Sequence, residues 1–386
     1  VLVVSQLAVC VTIVVCAALF ARSAANASRV DPGFRTDHIL IATAQLGTQG
    51  YDSVRGARFE REIERRIAAL PGVRSAALAR YTPFGYNNDI ESVLPESPTA
   101  PIPENGIGSF NNVVTPSYFE TMRIPIAEGR GFDERDNESA RKVAIVTRAM
   151  ARRIWPGQSA LGKRFRITKD GPVMEIVGVT GDIQYFSLGE TPKPFLFRPY
   201  AQWYHSSFTI TIHASVDPAS LAGAVRAAVA SLDPTLPVFD VRSFDEHIRS
   251  GRALLGTRLG AAFSAAFGGL ALLLAAVGLY GLLSYAVAQR TREIGIRVAL
   301  GAHTSTVVRL VVRQGLTMVA VGAAIGLAIT FGVTRLLTAL LFGVAPRDPV
   351  ILGGVVAILL AVGVVASMVP AVRAARVDPL TALRAE

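Results

Sequence analysis

Gly157, Gly162 and Lys163 fall at the spacing of a phosphate-cradling loop, in which backbone N–H groups and a lysine hold a nucleotide's phosphates. Arg164 stands where that loop needs a hydroxyl for magnesium, and the segment follows a predicted helix and precedes a predicted strand, the reverse of the required order. That reading is rejected. Asp133, Glu134, Asp136 and Glu138 could offer carboxylates to calcium, but their spacing is not that of an EF-hand loop, and Arg130, Arg135 and Arg141 interleave them. A solvated turn is expected instead. The five histidines, His38, His205, His213, His247 and His303, show no metal-ligand spacing. No nucleophile is spaced against a base, so the polar part of the chain does not read as an enzyme.

The remaining candidate is the run from Gln289 to Gly301. Read as a helix, it places Arg290, Glu293 and Arg297 on one stripe about 60° wide, with Glu293 able to pair with Arg297 in the favoured i, i+4 orientation. Ile294 and Val298 flank that stripe. Such a short amphipathic helix lies along a membrane surface. It either anchors a loop there or docks a cytoplasmic partner, and physics alone leaves the two open.

Four long apolar runs must position that segment. They cover Val1 to Phe20, about Leu255 to Ala288, about Gly315 to Thr334 and about Val350 to Val369. Roughly 20 apolar residues as a helix cross about 30 Å of hydrocarbon. Only 18% of the chain is charged against about a quarter in soluble proteins, which agrees. Arg290, Arg292, Arg297, Arg309 and Arg313 crowd one connection, whereas the next holds only Arg335, Arg347 and Asp348, and Arg373, Arg376 and Arg384 follow the last run. Basic short loops stay in the cytoplasm, so the 289–313 connection and the C-terminus are expected inside and the large polar region outside. The net charge of +10 is thereby assigned to topology rather than to nucleic acid.

No Asp, Glu, Lys or His lies in the central part of any run, which argues against an ion channel or ion-coupled transporter. Gly322 and Gly326 are spaced as GxxxG and are read as a helix-packing surface, within the chain or in a dimer. Both cysteines, Cys10 and Cys16, sit in the first run and give the polar domain no disulfide framework. The chain opens on Val1 already within an apolar helix, and an upstream segment is expected to have been removed.

Between the first and second runs short strands alternate with helices. Phe59, Ile63, Ile67 and Leu70 mark a helix stopped by Pro71 and Gly72, before a strand over Val73 to Ala79. Lys142 to Val146 reads as a strand, with Thr147 capping a helix that ends near Trp155 and Pro156. Arg164 to Thr168 and Met174 to Thr180 form an expected strand pair. Phe208, Ile210 and Ile212 share one face of another strand, and Asp217 with Pro218 starts a helix through Leu232. The expected fold is therefore an integral membrane α-helical protein of four transmembrane helices plus a mixed α/β extracytoplasmic domain of two lobes, with Pro95 to Pro103 as a connecting loop. The boundaries are 1–21 for the first helix, 22–252 for the outer domain and 253–386 for the three-helix part.

Those residues resemble a known family. The order of one span, a large outer domain and three spans, with Gln289 to Ala302 after the second, is similar to the FtsX-like permeases, and the outer domain resembles the MacB-like periplasmic core domain. Supporting strings are Val114 to Phe119, Ile124 to Phe132, Val143 to Val146 with Trp155 to Gly157, Leu161 to Lys163 and Glu175 to Val179. Towards the end they are Leu341 to Gly343, Asp348 with Pro349, Pro370 with Ala371, Ala374 to Pro379 and Ala382 to Arg384. The resemblance implies a permease subunit of a type VII, mechanotransmission ABC system for efflux or extraction, in the bacterial inner membrane with its large domain periplasmic. It implies a coupling helix at Arg290, Arg292, Glu293, Ile294, Gly295 and Arg297, near 290–301.

The implied partners are a cytoplasmic ABC ATPase, carrying the ATP and magnesium that this chain itself does not hold, and either a homodimer mate or the other half of a duplicated permease. A periplasmic adaptor is a further possible partner. The 386 residues include no ATPase domain. Leu2 to Ala8 and Val30 to Phe34 are similar to the second half of duplicated eight-span permeases, which fits a truncated half. The alternative reading is a membrane scaffold or sensor that regulates periplasmic cell-wall hydrolases without transport. The size of the outer domain favours transport.

Overall fold

The computed structural model describes residues 2–27, 31–85, 89–250, 255–290, 293, 296, 303–337 and 348–375. The chain divides into two compact units, Val1–Arg29 with Gly256–Glu386, and Val30–Leu255.

The first unit holds four long apolar helices: α1 (Leu2–Ala27), α7 (Leu255–Gln289), α8 (Thr304–Leu337) and α9 (Pro349–Ala375). Each is long and apolar enough to cross a bilayer. All four outrun the stretches expected from composition. α8 starts about ten residues before Gly315, so Arg309 and Arg313 lie in its first turns rather than in a loop. Val3, Leu7, Val11, Val15 and Leu19 of α1 recur at four-residue spacing and pack with Leu279 and Leu283 of α7, Val311 and Val319 of α8, and Val355 and Leu359 of α9.

The second unit is α/β. Strands β1 (Ile39–Gln45), β10 (Ser207–Ala214), β2 (Val73–Ala79) and β11 (Val238–Ser243) form an antiparallel sheet in the order β11-β1-β10-β2. Helices α2 (Ser53–Ala68) and α5 (Ala222–Leu232) cover it, burying Phe59, Ile63, Ile67, Val225 and Val229 against Leu40, Phe208, Ile210 and Ile212. The expected stripe on α2 and the shared face of β10 are thus one core. Asp52 caps α2 by accepting from the Arg55 N–H at 2.7 Å.

The second half of this unit closes on itself. β4 (Ile107–Val114), β3 (Ile90–Pro95), β7 (Arg164–Arg166), β8 (Met174–Thr180), β6 (Val143–Thr147) and β9 (Phe195–Pro199) pair in succession, and β9 returns to β4 in parallel register, Asn112 opposite Phe197. β5 (Ile126–Gly129) pairs with the end of β8. α4 (Arg148–Ile154) contributes Met150 and Ile154 to a core with Val93, Val146, Phe165, Ile176 and Leu196. A single pair, Ala79 opposite Val114, joins this ring to the four-stranded sheet. The outer unit thus has two apolar cores on one continuous strand network.

Local sequence explains the elements. Thr147 accepts from the Met150 N–H at 3.4 Å, as a capping threonine does. β7 pairs with β8 as an antiparallel hairpin, Phe165 opposite Met174. Asp217 caps a 3₁₀ turn over Pro218–Leu221, which leads into α5, so this helix begins as the tighter form.

Candidate functional site

α7 runs without interruption to Gln289, and the Arg290 N–H then donates to the Val287 carbonyl at 3.1 Å. Gln289 is tied back along the helix through its Nε2, which donates to Tyr285 Oη at 2.8 Å. Beyond that point Glu293 and Ile296 have helical backbone, and Arg290, Glu293 and Ile296 are all exposed. Residues three apart on a helix share a face, so Glu293 and Ile296 are exposed together. Arg292, Ile294, Gly295 and Arg297 lie outside the described residues, as do Leu341 to Gly343 and Ala382 to Arg384.

Behind this segment the four helices are joined by small residues. A Cβ on Gly322 would stand 2.6 Å from Leu7 Cβ, and one on Gly326 would stand 2.6 Å from both the Ala8 carbonyl oxygen and Val11 Cβ. The two glycines therefore seat α8 against α1 of the same chain. Thr12 Oγ1 reaches the Gly326 carbonyl at 3.3 Å across that seam, and Thr330 Oγ1 donates to the same oxygen at 2.7 Å. On the other side of α8, Gly315 lies over the Ser367 side chain, and a Cβ on Gly363 would meet Val319 at 2.8 Å. The ends of the bundle are pinned by ionic groups. Arg22 of α1 pairs with Asp348, just before α9, at 3.0 Å, and Arg373 near the far end of α9 donates to Tyr280 Oη at 3.1 Å.

The outer unit buries charge instead. Arg198 on β9 donates from Nη2 to Glu91 at 2.9 Å and to Asn111 Oδ1 at 2.8 Å, and its guanidinium lies 4.7 Å from the Trp203 ring centre. Burial depresses the Arg198 pKa against the pull of Glu91. His205, beside Arg80 and Arg198, is pushed down to about 4, first by burial and then by those cations. Glu60 on α2 is 4% exposed, and burial, with a further push from Glu64, raises its pKa to about 9. Glu64 accepts from Thr115 at 2.9 Å and from Ser117 at 2.5 Å, yet burial still raises it.

The acidic loop differs from the solvated turn expected of it. Asp136 is buried, accepts two hydrogen bonds from Arg130 at 2.7 Å, and accepts a third from the Asp133 N–H at 3.0 Å. An arginine fork on one carboxylate is a structural tie. Gly157 and Gly162 take left-handed backbone in the connection between α4 and β7, a helix–loop–strand order that does not cradle phosphate. Among the described residues no three His, Cys, Asp or Glu side chains converge as metal ligands. Glu60 was legible in principle, because it sits on the Gly56, Phe59, Glu60, Ile63, Ile67 stripe. Arg198 was not, because its partner Glu91 lies 107 residues away.

Residues 2–232 match the MacB-like periplasmic core domain family, and residues 265–379 match the FtsX-like permease C-terminal family. The chain is 28% identical to the ABC transporter permease YknZ of Bacillus subtilis over 71% of its own length and 70% of that protein's. It is 26% identical to the macrolide export ATP-binding/permease protein MacB of Wolinella succinogenes over 84% of its length, and spans 48% of that relative. The periplasmic region of MacB from Actinobacillus actinomycetemcomitans aligns with 58% of this chain and 97% of that structure at 13% identity, with a TM-score of 0.40.

Proposed function

The chain belongs to the family of ABC transporter permeases that join a MacB-like periplasmic core domain to an FtsX-like permease C-terminus, and on that premise we propose that it transmits force rather than conducting solute. A cytoplasmic ABC ATPase would dock on the segment after α7, and its opening and closing would move the outer α/β unit. That motion serves efflux or extraction of a substrate on the outer side of the bacterial inner membrane, with the C-terminus in the cytoplasm. Two copies of the four-helix bundle, as a homodimer or as halves of a longer chain, would supply the symmetry that a dimeric ATPase needs.

The observation that carries this reading is the bundle itself. Its helices meet through glycine seams and an aliphatic core, with Gln6, Thr12, Thr330 and Ser367 among the few polar groups at the seams. Close-packed helices move as a body, and an apolar core offers no hydrated path to an ion or polar solute. Within the docking segment Arg290 and Glu293 are exposed.

The test is co-purification. The full-length protein, solubilised in mild detergent from its own host, is expected to retain an ABC ATPase, and Arg297→Glu is expected to abolish that retention by reversing a charge on the docking helix. A folded protein that captures no ATPase in either form would overturn the reading and favour a scaffold or sensor.

A further inference from the structure

Helices α7 and α9 leave between them a lateral groove of about 570 Å³. Its walls are apolar throughout, formed by Leu273, Ala276 and Val277 on one side and Val362 and Val365 on the other. At one end the groove reaches Tyr280, whose hydroxyl accepts the hydrogen bond from Arg373. On α9, Val362, Val365, Val369 and Arg373 recur at three- and four-residue spacing, so a single helix face runs from the apolar groove to a guanidinium. Val365, Val369 and Arg373 are exposed, and the described partner of Arg373, a tyrosine hydroxyl, is neutral.

These features restrict the occupant. Nothing polar lines the groove, so a polar solute entering it would lose hydrogen bonds to water without replacement. A fixed cation at its mouth favours an anion there. The chemistry that is aliphatic along the groove and anionic at the Arg373 end is that of an anionic phospholipid. We propose that the groove holds one acyl chain of such a lipid, with its phosphate on Arg373 and Tyr280. Basic sites between membrane helices recognise anionic headgroups in this way on the cytoplasmic side, and each buried methylene of the chain adds favourable transfer free energy. The cytoplasmic leaflet follows from the orientation given under the proposed function, whereas the preference for an anionic lipid is independent of it and of any ATPase.

Val369→Trp places a reporter one turn from Val365 and one turn from Arg373. The chain's two tryptophans, Trp155 and Trp203, both belong to the outer unit and supply a blank in the unsubstituted protein. The full chain, reconstituted in phosphatidylcholine bilayers, is titrated with brominated phosphatidylglycerol or brominated phosphatidylcholine. Quenching of the reporter is expected at a mole fraction of the anionic lipid about fivefold lower, the factor that corresponds to about 1 kcal/mol for one basic residue near an anionic lipid. Arg373→Gln is expected to bring the ratio to about one, while Arg373→Lys keeps most of it. Equal quenching by both lipids with Arg373 present would show ordinary contact with the bilayer and overturn the site. Absence of quenching by either would show that protein, such as a second copy of this chain, covers the groove, and would overturn it as well. Should Arg373→Gln fail to fold, Ala276→Leu narrows the groove from the facing wall with the cation left in place. The ratio must fall in that variant too, and an unchanged ratio would refute the proposal.

Discussion

The outer unit keeps Arg198, Glu91, Asn111, Glu60, Glu64, Arg130 and Asp136 in or beside its interior, and Arg198 and Glu64 are held there by hydrogen bonds to segments far away in the chain. The membrane unit has an interior mainly of valine, leucine, isoleucine and alanine, and the close approach of its helices depends on Gly322, Gly326, Gly315 and Gly363. Each solution suits its solvent. In water, apolar burial drives folding without direction, and buried polar pairs add strict geometric demands because each unpaired group is costly. In hydrocarbon, apolar burial gives helices no reason to associate, so shape fit between backbones takes that role. The outer unit should therefore be broken by removing a partner, and the membrane unit by adding an atom.

The chain carries one intrinsic probe for each unit. Trp155 and Trp203 report on the outer unit by fluorescence. Cys10, which is buried, and Cys16 report on the membrane unit through reaction with a thiol dye on unfolding. The largest effect is expected from Arg198→Met. The Arg198 side chain is 5% exposed and that of Glu91 is 22%, so the variant leaves a half-buried carboxylate and Asn111 without their donor. A loss of about 3 kcal/mol is expected, as for breaking one side of a buried pair. It should appear in the tryptophan transition and leave the thiol transition in place. Adding Glu91→Leu should recover at least half of the loss. If the two changes simply add, the pair contributes no specific constraint and the contrast between the units weakens.

Gly326→Leu is the counterpart in the membrane unit. Its Cβ alone would stand 2.6 Å from the Ala8 carbonyl oxygen, a backbone atom that yields only if α1 moves. Overpacking of this kind costs about 2 kcal/mol. The thiol transition should fall while the tryptophan transition holds. Gly332→Leu is the control, since a Cβ there meets nothing within 4 Å. Equal effects from the two substitutions would mean that glycine acts here through helix propensity and not through the seam.

The contrast also marks what could be read from sequence. The four membrane helices were legible because apolar length is a property of one segment, and only their ends shifted, most at Thr304 where α8 begins in basic residues. Val73–Ala79, the hairpin of β7 with β8, and the Thr147 cap were legible for the same local reason. The closing of β4 onto β9 was not. It matches Phe110 with Phe195, a pairing set by the complete tertiary fold rather than by either strand's pattern. Asp133 to Glu138 misled because an acidic, arginine-interleaved run looks the same whether solvated or, as at Asp136, folded inward onto Arg130. At the proposed coupling segment the sequence set out a stripe, and the structure adds only the exposure of Arg290, Glu293 and Ile296.

The effect most specific to the outer unit is a pH slope. Glu60 has a folded pKa of about 9 against an ordinary value of 4.5, chiefly because burial disfavours its charged form. Between those values the folded state keeps the proton that the unfolded state releases. Stability therefore declines as pH rises through that window, by at most about 1.4 kcal/mol per pH unit from this group. Glu64, also raised by burial, adds to the slope in the same sense. Glu60→Gln replaces the carboxyl with a neutral group of the same size. It should flatten the tryptophan transition temperature between pH 6 and pH 8, while the thiol transition, from a unit whose apolar core holds no buried carboxylate among the described residues, stays flat in both proteins. An unchanged slope in Glu60→Gln would mean that Glu60 is hydrated in solution. The outer unit's polar interior would then be constrained by the Arg198 and Arg130 ties alone.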